Sequence, residues 1–366
     1  METVAIYLTS MALGGAQRIA RNLCAGLVDK GYAVDVILVD ARGELLDDLP
    51  EDASVVDLDA NRVLTSALPL TRYLRRRQPD VLYSMMTECN VIATVSHKLA
   101  QTDTRLVVSE HNTPTASAST RKDRFVLRLV PHTYPHADHI VTVSKGVRDD
   151  LRTLLDHSPV DISVVYNPIA VEEIRTQAQE PLDDPWFQND ELNIVLSAGR
   201  HAPQKGFDTL LRAFDQLADE QVRLVLLGQG PETESLKSLA VELSLTERVK
   251  FTGFVENPFK YMANADVFVL SSWYEGFGNV LIEAMATGCP VVSTDCPSGP
   301  QEILEGGTYG PLVPIQDPVR MAAAIDATLS DRPDRATLTE RADEFSIPRI
   351  TEQYTEILFH RENGYS

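Results

Sequence analysis

Short runs of Val, Ile and Leu alternate along the first half of the chain with longer blocks whose apolar residues recur every three or four positions. The runs TVAIYLT (3–9), AVDVILV (33–39), DVLYSM (80–85), RLVVSE (105–110), HIVTVS (139–144) and ISVVYN (162–167) are nearly continuous in apolar character. Parallel strands buried on both faces have that pattern. The block GAQRIARNLCAGLVDKG (15–31) places Ile19, Leu23 and Leu27 on one stripe and ends at Gly31, which predicts a helix with a glycine at its carboxyl end. Strand alternating with helix predicts right-handed crossovers and a doubly wound sheet.

The alternation stops after residue 174. RTQAQEPLDDPWFQND is polar, carries prolines and lacks apolar periodicity, so it reads as a linker. A second series follows in NIVLSAG (193–199), VRLVLLGQG (222–230), VKFTGFV (249–255), DVFVLSS (266–272) and PVVSTD (290–295). The expected organisation is a Rossmann-like domain over 1–170, a linker over 171–190 and a second Rossmann-like domain over 191–345. SIPRITEQYTEILFHREN (346–363) reads as a helix with Ile350, Tyr354, Ile357 and Leu358 on one side. No strand of the second domain awaits it, so residues 346–366 are expected to cross back to the first domain. Ligands of such open sheets bind beyond the carboxyl ends of the strands, which places the expected site in the cleft between two facing domains.

Composition narrows the function. A chain of 366 residues suits two domains, and a net charge of −20 argues against a nucleic-acid partner. The charge is uneven, with −3 over residues 1–170 and −17 over 171–366. The cations are mainly arginine, 25 against 8 lysines, and an acidic, lysine-poor surface fits a salt-loving source. Cys24, Cys89, Cys289 and Cys296 form no CxxC pair and no metal-ligand spacing, so free thiols and no bound metal are expected. No apolar run is long enough to span a bilayer, and METVAIYLTS reads as a strand rather than a signal peptide; the expectation is the cytoplasm.

The candidate chemistry lies in the second series. In SAGRHAPQKGFDTLLRAF (197–214), Arg200 leaves a strand end, Lys205 follows in the loop and Gly206 opens a helix whose N-terminus adds positive potential. This outlines a diphosphate site, although on spacing alone both cations also read as ordinary loop charges. Another strand end leads through Glu275 and GFGN to a second helix start, where free amides suit an anion and Gly276 and Gly278 permit close approach. A carboxylate beside an anion is unfavourable, so Glu275 is better placed to accept sugar hydroxyls. Glu283, farther along that helix, suits a vicinal diol, as an acidic residue does for ribose in dinucleotide folds. The alternative is two solvated helix glutamates. Asp57 and Asp59 in VVDLD match an Asp-x-Asp metal motif but lie where a strand ends, and are read as structural. GQGPE (228–232) is too short for a dinucleotide fingerprint.

Two glutamates separated by seven residues in YEGFGNVLIEAMATGCPVVSTD (274–295), with GRHAPQKG (199–206), GGAQR (14–18) and SEHN (109–112), resemble the large retaining glycosyltransferase family 4 of the GT-B fold. LGQGPE (227–232), GFVEN (253–257) and CPSGPQEIL (296–304) extend the likeness over nearly the whole chain. The resemblance implies a metal-independent, retaining transfer of a hexose or N-acetylhexosamine from a nucleotide diphosphate sugar, most simply a UDP-sugar, with no further cofactor. It implies Arg200 and Lys205 on the diphosphate, Glu283 on the ribose and Glu275 on the transferred sugar. The turn through Gly276, Phe277, Gly278 and Asn279 would face the donor. Gly14 and Gly15 would approach the donor phosphate or acceptor, His111 would bond a donor hydroxyl, and backbone around Gly253 and Phe254 would meet the base. The first motif reads Gln17 where many relatives carry glutamate, a departure that bears on acceptor choice.

The acceptor implied by the resemblance is a lipid-linked oligosaccharide or surface-polysaccharide intermediate. The basic stretches RYLRRR (72–77) and RKDRFVLRLV (121–130) fit either solvated helix faces or peripheral contact with an anionic membrane, and the family tips the expectation toward contact at the inner face of the cell membrane. A nucleotide-sugar 2-epimerase of the same fold and a non-catalytic nucleotide-binding subunit are the rival readings. The intact Arg200, Lys205, Glu275 and Glu283 speak against the second rival.

Overall fold

The computed structural model describes residues 1–118, 120–156 and 158–359. The chain divides into two compact units, residues 1–169 with 346–366, and residues 170–345.

In the first unit β1 (Thr3–Leu8), β2 (Ala33–Leu38), β3 (Ser54–Asp57), β4 (Val81–Met85), β5 (Arg105–Glu110), β6 (His139–Thr142) and β7 (Ile162–Val164) form one sheet in the order β3-β2-β1-β4-β5-β6-β7. Every pairing is parallel. Val4 to Leu8 are fully buried, which is why β1 has no polar alternation to read. β3 is the exception. It is a largely exposed edge strand, absent from the apolar runs and legible only at its VVDLD end. Asp57 closes it by accepting the amides of Ala41 and Asp59 at 3.2 and 2.8 Å, so VVDLD is a strand end.

The helix Gly15–Asp29 buries Ile19, Leu23 and Leu27. Its carboxyl end is closed by two bonds, Tyr32 N to Leu27 O at 3.0 Å and Gly31 N to Val28 O at 2.8 Å, with Gly31 at φ +85°. This is the two-bond glycine stop that satisfies otherwise orphaned carbonyls. Against this helix packs the helix Ile347–Phe359, which buries Ile350, Thr351, Tyr354 and Leu358, while Ile357 is half-buried. A Cβ on Gly26 would fall 2.1 Å from Thr351 Oγ1, so the glycine is what lets the two backbones approach. Tyr83 donates to the Tyr354 hydroxyl at 3.2 Å and Tyr32 stacks on Phe359 at 4.6 Å. The last part of the expected C-terminal helix, 360–363, and the tail to 366 lie outside the described residues.

In the second unit β8 (Asn193–Ala198), β9 (Val222–Leu227), β10 (Val249–Gly253), β11 (Val267–Leu270), β12 (Val291–Thr294) and β13 (Leu312–Val313) form a parallel sheet in the order β10-β9-β8-β11-β12-β13. β13 has only two residues and left no readable pattern.

The stretch 171–190 is not a bare connector. It begins with the helix Val171–Ala178 and belongs to the second unit. Asp184 pairs with Lys250 at 2.8 Å, the same ammonium lies 4.3 Å from the Trp186 ring centroid, and the Gln177 carbonyl accepts from Asn257 Nδ2 at 2.8 Å. These anchors are polar or aromatic and distant in sequence, so apolar periodicity does not reveal them.

Candidate active site

The order of the second sheet reverses between β8 and β11, and the loops leaving those two strands carry the cations and carboxylates singled out in the sequence. After β8 the chain passes Arg200 and the turn Pro203–Lys205 before the helix Phe207–Phe214. After β11 it passes Ser271 to Gly278 before the helix Asn279–Ala286. Three bonds stitch the loops together: Gln204 Nε2 to Tyr274 O at 2.9 Å, Trp273 N to Gln204 O at 2.8 Å, and Ser271 Oγ to Lys205 O at 2.8 Å. Gly206 sits at φ +59°, and a Cβ there would lie 2.2 Å from the Ser271 carbonyl. Any side chain at that position would force the two loops apart.

The stitching brings Lys205 Nζ to 2.6 Å from Glu275 Oε1, an oxygen that also accepts from Ser272 Oγ at 2.6 Å. The side chains of Lys205 and Glu275 are only 21% and 10% exposed, so water screens the pair little. The family resemblance implies separate tasks for the two residues; the structure makes them direct partners. Arg200 is exposed at the start of the same loop. Gly276 and Phe277 are buried, Gly278 takes φ +99° at the helix start, and Asn279 is the first helical residue. Glu283, half-buried, lies about one turn into that helix. Gly253 ends β10 at φ +77° and its carbonyl accepts from Gly228 N at 2.7 Å, while Phe254 is 56% exposed.

Ser272, Gln204 and His201 were not legible in the sequence, because each is defined by a partner far along the chain. His201 is fully buried, with Nδ1 3.0 Å from Thr233 Oγ1 and the ring edge-on to Phe207. Burial lowers its pKa below the ordinary histidine value.

In the first unit the reversal falls between β1 and β4. Gly14 is the extended residue ahead of the helix Gly15–Asp29, whose first turn carries no acidic side chain. A Cβ on Gly14 would meet Gln17 Oε1 at 2.4 Å, so the departing residue of the GGAQR motif lies against the glycine turn. His111 follows β5 directly and is 8% exposed. Its Nε2 lies 3.0 Å from Ser109 Oγ, and burial pushes its pKa down to about 4, with Asn167 opposing. Its neighbour Glu110 is the carboxylate of the SEHN motif. It is 1% exposed and accepts from Thr87 Oγ1 at 3.0 Å, from Asn90 Nδ2 at 3.4 Å and from the Tyr134 hydroxyl. Burial pushes this carboxyl up to about 7 against those three bonds. A carboxylate at the end of the apolar run RLVVSE was the available signal.

The sequence profile of glycosyl transferases group 1 matches residues 179–345, and that of Glycosyltransferase Family 4 matches residues 13–173. The chain is 31% identical over 349 residues to the N-acetylgalactosamine-N,N'-diacetylbacillosaminyl-diphospho-undecaprenol 4-alpha-N-acetylgalactosaminyltransferase of Campylobacter jejuni, covering 90% of this chain and 91% of the relative. It is also 31% identical to the lipopolysaccharide core biosynthesis glycosyltransferase LpsE of Rhizobium meliloti, covering 94% and 96%. Among solved structures, Anabaena HepE in complex with UDP-glucose superposes with a TM-score of 0.81 at 21% identity, covering 98% and 99% of the two chains. The outer core galactosyltransferase WaaB gives 0.77 at 18%, again covering 98% and 99%. These likenesses show the GT-B fold. With both profiles matched in order and 31% identity over nine-tenths of the Campylobacter enzyme, the chain belongs to the group 1, family 4 glycosyltransferases.

Proposed function

We propose that this glycosyltransferase moves a hexose or N-acetylhexosamine from a UDP-sugar to a lipid-linked glycan or surface-polysaccharide intermediate, with retention of configuration and without a metal. The observation that carries the proposal is the shielded Lys205–Glu275 pair at the switch point of the second sheet. Lys205 and exposed Arg200 supply the positive charge that a departing diphosphate needs, a task a metal ion performs elsewhere. Amides at the start of the helix Asn279–Ala286 add to that field. Glu275, positioned by Lys205 and Ser272, accepts hydroxyls of the migrating sugar. Glu283 takes the ribose diol, and the turn at Gly253 and Phe254 takes the base. In the first unit, neutral His111 offers a hydrogen bond to a donor hydroxyl, and the helix start at Gly14 and Gly15 lets the donor phosphate or the acceptor approach. HepE has been solved with UDP-glucose, and the Campylobacter relative is named for an undecaprenol-diphosphate acceptor; both support these substrate classes.

Peripheral membrane contact is part of the same proposal. No helix among the described residues is long and apolar enough to cross a membrane. The helix Arg121–Thr133 exposes Arg121, Arg124 and Arg128 around Phe125, which is 61% exposed. Within 72–77, Arg77 is tied to Asp35 at 2.9 Å and Arg75 to the Leu99 carbonyl at 2.7 Å, which leaves Arg72 and Arg76 for lipid headgroups.

A thermal-shift titration tests the donor half. UDP and UDP-sugars should raise the melting temperature equally with and without EDTA, because ligands that bind only the native state stabilise it. A shift abolished by EDTA would overturn metal independence, and no shift with any nucleotide would overturn the donor assignment.

A further inference from the structure

The carboxyl ends of β1 and β4 open on a cavity of about 280 Å³ within the first unit. Ligand pockets commonly run from about 300 to 1,000 Å³, so this one admits a single sugar ring rather than an oligosaccharide. Its position at the point where the strand order reverses is where open parallel sheets bind ligands. No residue given a donor role above lines it.

Its lining is of mixed chemistry. Met86, Pro114, Val126 and Leu127 supply apolar surface, and Val126 and Leu127 are half-buried against the core of the unit. Glu88 and Asp123 stand on the lining beside the hydroxyl-bearing Thr9 and Thr87. Lys122, on the same helix, is bound to Glu88 at 2.7 Å. Glu88, tied to Lys122 through both oxygens, and Asp123 leave the lining net negative and disfavour a phosphate here. They suit sugar hydroxyls as donors, while four apolar side chains exceed what the faces of a fully hydroxylated ring can cover.

We infer that this cavity takes the terminal ring of the acceptor, and that the ring carries a methyl-bearing substituent packed against Met86, Val126 and Leu127. This rests on the transferase reading and names its acceptor class. The methyl belongs to an acetamido group or to a 6-deoxy carbon. Hydroxyls of the same ring donate to Glu88 and Asp123. The helix Arg121–Thr133 then serves two ends, with Val126 and Leu127 toward the acceptor sugar and Phe125 outward.

The test is saturation-transfer NMR on the full chain with the methyl glycosides of N-acetylglucosamine, 6-deoxyglucose and glucose. One of the first two should bind and receive its strongest saturation at the methyl protons, identifying which group is meant. Methyl glucoside should bind about tenfold more weakly, the discrimination expected of one small apolar group. Val126→Thr, which keeps the shape and adds a hydroxyl, should weaken the methyl-bearing glycoside severalfold, and Leu127→Asn should do the same. Equal binding of glucose, or no change in either variant, overturns the inference. The UDP-induced melting shift reports on the donor residues, none of which lines this cavity. A parent protein lacking that shift would count against the donor reading, and the methyl signal would still decide the cavity.

Discussion

Glu110 and His111 are adjacent buried groups whose pKa values move in opposite directions, up to about 7 and down to about 4. Burial disfavours the charged form of each, and that form is the anion for one and the cation for the other. The carboxyl contributes stability that is present below its unfolded value of 4.5 and lost as pH rises to about 7. The imidazole contributes stability that is present above 6.5 and lost as pH falls to about 4. Each shift is worth about 3 kcal/mol, so the two offset one another between pH 4.5 and 6.5. Relative to the parent, Glu110→Gln should therefore gain stability as pH rises from 4.5 to 7, and His111→Gln should gain as pH falls from 6.5 to 4. Urea unfolding across that range checks both, and pH-independent differences would remove the linkage.

At the level of elements, the close crossing of the helices Gly15–Asp29 and Ile347–Phe359 depends on one missing side chain. Gly26→Ala would place its methyl 2.1 Å from Thr351 Oγ1 and 2.8 Å from Ile347 Cγ2. The expected loss is about 1–3 kcal/mol, the usual range for overpacking, with partial recovery in Gly26→Ala/Thr351→Ala. A denaturant midpoint unchanged by Gly26→Ala would contradict the packing argument. The strands that the sequence revealed, such as β1 and β5, are buried nearly throughout and read as continuous apolar runs. The exposed edge strand β3 showed only its VVDLD end and the two-residue β13 went unread, since neither needs such a run. Gly206, Lys205 and Glu275 were legible because turn glycines and charges at strand ends are local signals. The bonds that join their loops run from Gln204 to Tyr274 and from Ser271 to Lys205, and no local pattern encodes a partner some 70 residues away.

On the scale of the whole molecule, charge is the organising quantity. The net −17 of residues 171–366 repels an anionic surface, whereas residues 1–170, at −3, gather exposed Arg121, Arg124 and Arg128 around Phe125. The account predicts that the protein floats with vesicles containing anionic lipid at low ionic strength, and that about 0.5 M salt releases it. Phe125→Ser/Arg124→Glu should abolish flotation without altering the UDP-induced melting shift. Protein left at the bottom of the gradient at low salt would remove the membrane from the account.

The central claim is that Lys205, positioned by Glu275, stabilises the departing diphosphate, and turnover of the Lys205→Ala variant tests it most directly. With the UDP-sugar identified by thermal shift and a lipid-linked acceptor, the variant should keep its fold by circular dichroism. Its kcat should fall by about 10²–10³-fold, as when one preorganised electrostatic group is removed from an active site. Turnover within twofold of the parent would contradict the claim.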